Sequence, residues 1–320
     1  MNTHRIAVVG GTGAQGSGLV RAILADPSRR FEAVVLTRSP DGAAARASAQ
    51  AGAKLVTANL DDRASLVAAF AGVHGVYAVT NFWEHHSPER ELRQAENLAQ
   101  AAAQAGVKHL IWSTLEDTRE FVPLTDTRMP TLMERYKVPH FDAKGEANAF
   151  FTAARVPTTF LYTSFYWDNL IHFGMGPQRN AEGQLVFALP IGSRVLPGIA
   201  ASDIGACAFG VFARGDSMIG QSVGIAGEHL TGDEMAEALG RRLGEPVQYR
   251  SIPFAEYAAY GFPGADDLAN MFQFKHDFND AFVARRDIAH ARELNPGLLD
   301  FAGWLKRDGA ALMRSPEAAS

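Results

Sequence analysis

The sequence predicts a doubly wound α/β domain built on a parallel sheet, followed by a smaller α+β domain. Short apolar runs alternate with helical segments through the first half of the 320 residues. A glycine-rich turn follows the first run directly, and the second half loses the alternation. Residues 1–160 are assigned to the sheet domain and 161–320 mainly to the smaller one, with segments around 200–228 returning to the sheet.

The apolar runs are 6–9, 33–37, 54–58, 76–80, 109–113 and 158–162, all short and poor in charge. Continuous apolar runs of this length fit strands buried on both faces. Helical segments lie between them at 17–25, 42–51, 63–70, 88–105 and 142–154. The fourth is the clearest: Ser87 is a good N-cap, Pro88 suits the first turn, Leu92, Ala95, Ala99 and Ala102 form one apolar face, and Gly106 ends it. The stretch 115–139 has three prolines and no period, which predicts a long loop of the kind that often forms a functional lid.

In the second half, 180–183 reads as a turn and 184–189, 221–226 and 247–252 as strands. A helix over 202–213 would be capped by Ser202, and Thr231 with Glu234 forms a capping box for a helix ending near Gly244. Helices are expected at 254–260, 266–278, 285–294 and 298–306, and the tail 315–320 is expected to fray.

Composition excludes several classes. One cysteine, Cys207, allows no internal disulfide framework and no multi-cysteine metal site, and suits a reducing, cytoplasmic setting. Net charge is −5, with no basic block, so direct nucleic-acid binding is not expected. No apolar run approaches membrane-span length, and the N-terminal run is too short for a signal peptide.

The turn after the first strand reads Gly10-Gly11-Thr12-Gly13-Ala14-Gln15-Gly16. Glycines at this spacing allow a tight turn, close approach of a pyrophosphate and close packing of helix on strand, the fingerprint of a Rossmann dinucleotide site. The following helix offers free N–H groups and a positive dipole end. At the end of the second strand an NAD site would carry an acid for the ribose 2′-hydroxyl. This chain has Arg38, whose guanidinium suits a 2′-phosphate and predicts NADP(H), although it also reads as a solvated surface arginine. Other strand ends should line the same crevice. Asn59-Leu60-Asp61 is expected to flank an adenine, and Thr80, Asn81, Phe82 and Trp83 to approach a ribose or nicotinamide. His85 and His86 beside Trp83 do not share a helix face, and no third ligand spacing accompanies them, so no metal site is assigned.

Many enzymes of this fold use Tyr-x-x-x-Lys on a helix, where the spacing puts both side chains on one face. Here His140 stands in the tyrosine position and Lys144 in the lysine position, with Ser113 near the end of the fifth strand. His140 and Lys144 are the candidate catalytic residues, His140 because imidazole moves protons near neutral pH. The plain alternatives are a loop histidine capping the helix start and a solvated lysine.

The sequence resembles the NmrA-like family of atypical short-chain dehydrogenase/reductase-type proteins, and within it NADPH-sensing members. The likeness spans nearly the whole chain. It rests on the glycine loop, Thr37-Arg38, the Val79–Glu84 stretch, His140-Phe141-Asp142-Ala143-Lys144-Gly145-Glu146, Tyr166-Trp167-Asp168-Asn169-Leu170, and the unusual run from Gly261 to Phe272. The resemblance implies cofactor contacts from the glycine loop, Arg38, Asn59, Leu60, Asn81, Phe82, Trp83, Lys144 and the turn Tyr166, Trp167, Asp168, Asn169. Arg93 falls where a sensing relative has a cofactor-contacting lysine. Two features depart from that relative: Gly42 replaces a second cationic phosphate contact, and the loop before His140 is longer.

The resemblance implies a redox-sensing or regulatory module with little or no dehydrogenase activity, acting through a protein partner. Lys144 also resembles the catalytic lysine of isoflavone reductase-like and quinone reductase-like enzymes. The alternative reading is therefore an NADPH-dependent reductase of a small carbonyl, enone or quinone that uses Lys144, with the sensing module as the first reading. Phe82, Trp83, Phe165, Tyr166 and Trp167 would then hold a flat substrate in an interdomain cleft, or simply pack. A third reading is an interaction protein with a vestigial dinucleotide site. Monomer and homodimer are both compatible with the sequence.

Overall fold

A computed structural model describes residues 3–313. The predicted frayed tail at 315–320 lies outside the described residues. The chain opens with β1 (His4–Val8), α1 (Gly16–Ala25), β2 (Phe31–Thr37), α2 (Ala43–Gln50), β3 (Lys54–Thr57), α3 (Arg63–Phe70), β4 (Gly75–Ala78), α4 (Pro88–Ala105), β5 (His109–Thr114), α5 (Pro139–Ala153) and β6 (Thr158–Tyr162). It continues with β7 (Phe165–Tyr166), α6 (Asn169–His172), β8 (Gln178–Arg179), β9 (Leu185–Leu189), β10 (Leu196–Ile199), α7 (Ala201–Arg214), β11 (Ser222–Gly224) and β12 (Glu228–Leu230). The last elements are α8 (Gly232–Leu243), β13 (Val247–Ser251), α9 (Phe254–Ala258), α10 (Ala265–Asp277), α11 (Asn279–Ala284), α12 (Ile288–Leu294) and α13 (Phe301–Asp308).

Seven parallel strands form the main sheet in the order β3-β2-β1-β4-β5-β6-β11. Strand alternation splits its apolar residues between two faces. Ile6 and Val8 pack with α1, α7 and α12, whereas Ala7 and Val9 pack with α3, α4 and α5. Among the described residues no helix is long and apolar enough to cross a membrane. The α1–α7 contact is a backbone approach: a Cβ on Gly18 would lie 2.0 Å from the Ser202 carbonyl oxygen, and one on Gly205 2.1 Å from the Leu19 nitrogen. Two small three-stranded sheets, β12-β10-β7 and β13-β9-β8, build the second domain around Phe187, Phe272, Phe274 and Trp304.

Several expectations change. Helix α5 begins at Pro139, so His140 is helical and is not a loop cap. The buried Asp142 carboxylate accepts the Thr118 N–H and hydroxyl and the Lys137 and Val138 N–H groups, which starts the helix and fastens the preceding segment. That segment is not a free lid. Lys137 is buried in it and donates to the Asp126 and Met129 carbonyls and the Thr131 hydroxyl. Helix α7 has no side-chain cap from Ser202; the Asp168 carboxylate accepts the Ala201 N–H instead. The helix expected over 285–294 starts later, at Ile288, because Asp287 caps α12 and Arg286 turns inward, and a short helix not expected from the sequence, α11, precedes it. Strand β10 was hidden by Pro197 and Gly198, residues that argue against a strand in sequence.

Lys275 on α10 is fully buried, and its Nζ lies 5.4–5.7 Å from the ring centroids of Phe141, Phe165, Phe272 and Phe282. Its Nζ donates to the Met271 Sδ at 3.3 Å, a weak acceptor. Burial, assisted by Arg286, pushes its pKa down to about 7 from 10.5. Below about pH 7 the folded state carries the full cost of a buried charge; between 7 and 10.5 only the unfolded chain binds the proton, so folding stability rises with pH there. We expect Lys275→Met to stabilise the fold at pH 7 by about 1–3 kcal/mol and to flatten that rise, read from urea midpoints.

Candidate functional site

The sheet order reverses at β1, whose neighbours β2 and β4 receive crossovers running in opposite directions. A crevice therefore opens at the carboxyl ends of β1 and β4, where ligands of this architecture bind. Gly10–Gly16 forms one wall. Gly10 has φ +63°, and a Cβ on Gly16 would sit 2.4 Å from the Gly10 carbonyl oxygen, so both positions require glycine. Thr12, Gly13 and Ala14 form an exposed crest. Helix α1 has no side-chain cap and no acid in its first turn. Gln15 turns inward: its Oε1 accepts the Tyr77 and Ser113 hydroxyls, the latter at 2.9 Å, and its Nε2 donates to the Tyr166 hydroxyl at 2.5 Å. The sequence gives no hint of Tyr77, which reads as one more apolar strand residue. Burial raises the pKa of both phenols.

Arg38 stands at the end of β2 with an exposed side chain, and its Nη1 donates to Glu84 Oε1 at 2.5 Å. Glu84 follows β4, so this pair spans the crevice mouth. Asn59 and Asn81 are exposed and Leu60 is half-buried, its carbonyl accepting from Asn97 Nδ2. Arg93 is exposed on α4. Asp61 pairs with Arg90 at 2.6 Å.

The deeper end is charged and buried. Lys144 is not a solvated lysine. Its Nζ donates to the Thr80 carbonyl at 3.1 Å, the Thr80 hydroxyl at 2.7 Å and Glu91 Oε1 at 2.7 Å, and lies 5.1 Å from the Trp112 ring centroid. Glu91 is fully buried and also accepts the Thr80 hydroxyl at 2.6 Å. Its other oxygen lies 3.5 Å from His85 Nε2. Burial alone would raise the Glu91 pKa; Lys144 foremost, then His85 and Thr80, hold it at about 2 against an ordinary 4.5.

One helical turn before Lys144, His140 is buried against Trp83, with ring centroids 4.8 Å apart, and against Phe82 at 6.0 Å. Its Nδ1 is 2.6 Å from Asp267 Oδ1, and its backbone N–H donates to Asp267 Oδ2 at 3.2 Å. Asp267 comes from α10 of the second domain.

The turn after β6 divides. Tyr166 reaches Gln15, and Asn169 is half-buried at the start of α6. Trp167 is drawn away from the crevice, its ring buried between Phe301 and Trp304, and Phe165 packs on Phe272. The Asp168 carboxylate is occupied by the Ala201 N–H. The ring of Trp167 and the carboxylate of Asp168 thus each have a structural partner of their own. Among the described residues no group of three or more His, Cys, Asp or Glu side chains could hold a metal ion. The glycine crest, the uncapped α1 terminus and the Arg38 guanidinium fit a dinucleotide whose phosphates need N–H donors and a cation.

The NmrA-like family model matches residues 2–305, and the chain belongs to that family. It is 26% identical to the NmrA-like family domain-containing oxidoreductase FrzB of Cladobotryum sp., over 98% of this chain and 94% of the relative. It is 29% identical to the NAD(P)H azoreductase of Xenophilus azovorans, over 83% and 84%. The solved structure of NmrA, a negative transcriptional regulator, in complex with NADP superposes with a TM-score of 0.77 at 21% identity, over 96% of this chain and 95% of that one. This likeness establishes the Rossmann fold with its smaller C-terminal domain.

Because the folded Glu91 pKa lies below its unfolded value, its contribution to stability is present above pH 4.5 and lost as pH falls toward 2. Glu91→Gln should therefore shallow the loss of stability between pH 4.5 and 2, measured as urea midpoints across that range. A slope identical to that of the parent chain would contradict the ion pair.

Proposed function

We propose that the chain binds NADP(H) in the β1–β4 crevice and acts as an NADPH-dependent reductase of a small, flat, conjugated substrate. The observation that carries this reading is Lys144, held in a buried network with Thr80 and Glu91 at the end of β4. The oxidoreductase and azoreductase names of the two relatives agree with it. When bound, the cofactor supplies a hydride. The glycine crest and the α1 N-terminus would hold its pyrophosphate, and Arg38 its 2′-phosphate after release from Glu84. Lys144, fixed between Thr80 and Glu91, would orient the reacting end and stabilise negative charge developing on the substrate in a site where water screens little. Trp83 and Tyr166, both half-buried, would edge the site of a flat molecule, with Phe82 packed against Trp83.

A redox-sensing role is the second reading. It is favoured by histidine in place of the tyrosine and by the exposed Arg38–Glu84 pair, which a 2′-phosphate would have to open. A vestigial site fits poorly with a loop in which Gly10 and Gly16 both still require glycine.

NADPH oxidation against quinones, enones, aldehydes and azo dyes separates these readings. Lys144→Ala should lower kcat by about 100-fold or more. Arg38→Ala should weaken NADPH binding by about 10- to 100-fold, the worth of a charge-assisted hydrogen bond, and change NADH binding little. Undiminished turnover in Lys144→Ala would refute this role for the lysine. Tight NADPH binding without any turnover would instead select the sensor.

A further inference from the structure

We propose that His140 and Asp267 form the proton-delivering pair of this reduction, with Asp267 as its positioning residue; the role rests on the reductase reading above. Lys144 and His140 share one face of α5, but their surroundings differ. Lys144 is tethered by Thr80 and by the carboxylate of Glu91. His140 has a carboxylate on one ring nitrogen only.

Asp267 accepts from His140 twice: the backbone N–H on Oδ2 and the ring on Oδ1. A carboxylate offers lone pairs and no proton, so Nδ1 carries the hydrogen of this bond. The imidazole is then committed. Nδ1 stays protonated whether the ring is neutral or charged, and Nε2 alone gives and takes a proton. Among the described residues no protein group bonds Nε2 within hydrogen-bond distance.

The placement of Asp267 explains the unusual run from Gly261 to Phe272. Gly264 precedes α10 at φ +84°, and a Cβ there would lie 2.8 Å from the Trp83 ring, so the loop presses on the residue that also covers His140. One turn along α10, Asn270 Nδ2 donates to the Lys137 carbonyl at 2.6 Å and the Pro130 carbonyl at 2.9 Å, fastening α10 to the start of α5. The aspartate is therefore held by the second domain and the histidine by the first, and the pair exists only when the two are packed together.

The balance is simple. With NADPH bound, the hydride it supplies would add to one atom of the conjugated double bond, the displaced bonding pair would move to the conjugated heteroatom, and that atom would take the Nε2 proton of the imidazolium. The substrate gains two electrons and two hydrogens, the cofactor is oxidised, and the imidazole remains as the Nδ1–H form that Asp267 accepts. Water then reprotonates Nε2.

The test uses the full chain labelled with ¹⁵N-histidine, in long-range ¹H–¹⁵N spectra, with His140→Gln to assign the signal. We expect His140 as the Nδ1–H tautomer in the parent chain, and loss of that preference in Asp267→Asn. The same variant should bind NADPH within about twofold of the parent by fluorescence titration, yet lose at least 30-fold in kcat. Asp267→Glu should recover part of the loss. An Nε2–H tautomer in the parent, or unchanged kcat in a folded Asp267→Asn, overturns the proposal. Should Asp267→Asn fail to fold, His140→Gln decides: retained turnover refutes proton delivery, and a loss with NADPH binding intact supports it. Failure of the parent to oxidise NADPH with any substrate defeats the reductase reading, and proton delivery with it. The tautomer would still show whether Asp267 sets the ring.

Discussion

A buried guanidinium cannot be left without acceptors, and that demand holds the two domains of this chain in register. Arg286 has no exposed surface. Its nitrogens donate to both oxygens of Glu116 at 2.7 and 3.1 Å, to the Thr163 carbonyl twice, and to the Phe282 carbonyl. Glu116 follows β5 and Thr163 follows β6, so the sheet supplies most of the acceptors, while Arg286 belongs to the segment between α11 and α12. Burial would raise the Glu116 pKa, but Arg286 holds it down, so both charges persist where neither has water. Removing one partner of such a pair is strongly destabilising, typically by about 3–5 kcal/mol, because the other charge stays behind. Everything assembled across the seam inherits this constraint, including the approach of Asp267 to His140.

The crevice follows from topology, and its two ends differ in kind. At the outer end Thr12, Gly13, Ala14 and Arg38 are open to solvent, where a multiply charged ligand can shed its hydration gradually. At the inner end the charges are paired beforehand. Lys144 meets Glu91, and the Thr80 hydroxyl serves both, accepting from the lysine and donating to the carboxylate. Preorganisation of this sort places the desolvation cost in folding and leaves less to be met during reaction.

Much of this was legible in the sequence because it is written locally. The glycine loop, Arg38 and the His140–Lys144 spacing each lie within one turn or one helix, and the strand–helix alternation gave the sheet. What escaped was long-range. Glu91 looks like an ordinary acid in the first turn of α4, yet it lies on the apolar face with Ala95, Leu98 and Ala102, and an acid on that face was the available signal. Asp267 looks like one of two acids at a helix start, and its partner is 127 residues away. The structural partners of Trp167 and Asp168 are also distant in sequence: Phe301 and Trp304 pack on the indole, and the open end of α7 engages the carboxylate. Strand β10 escaped because its pairing outweighs the poor local propensity of Pro197 and Gly198.

The histidine in the tyrosine position gains its meaning from these long-range partners. A phenol in such a site depends on a nearby cation to ease loss of its proton, and Lys144 on the next turn would be that cation. Here Lys144 is already engaged by Glu91, and an imidazole needs a different neighbour, an acceptor that fixes which nitrogen is free. Asp267 meets that need from the opposite domain, and Arg286 keeps the opposite domain in place. Substituting the acid therefore shifts the constraint from one helix to the seam between domains, and the second domain becomes part of the reacting site as well as its cover.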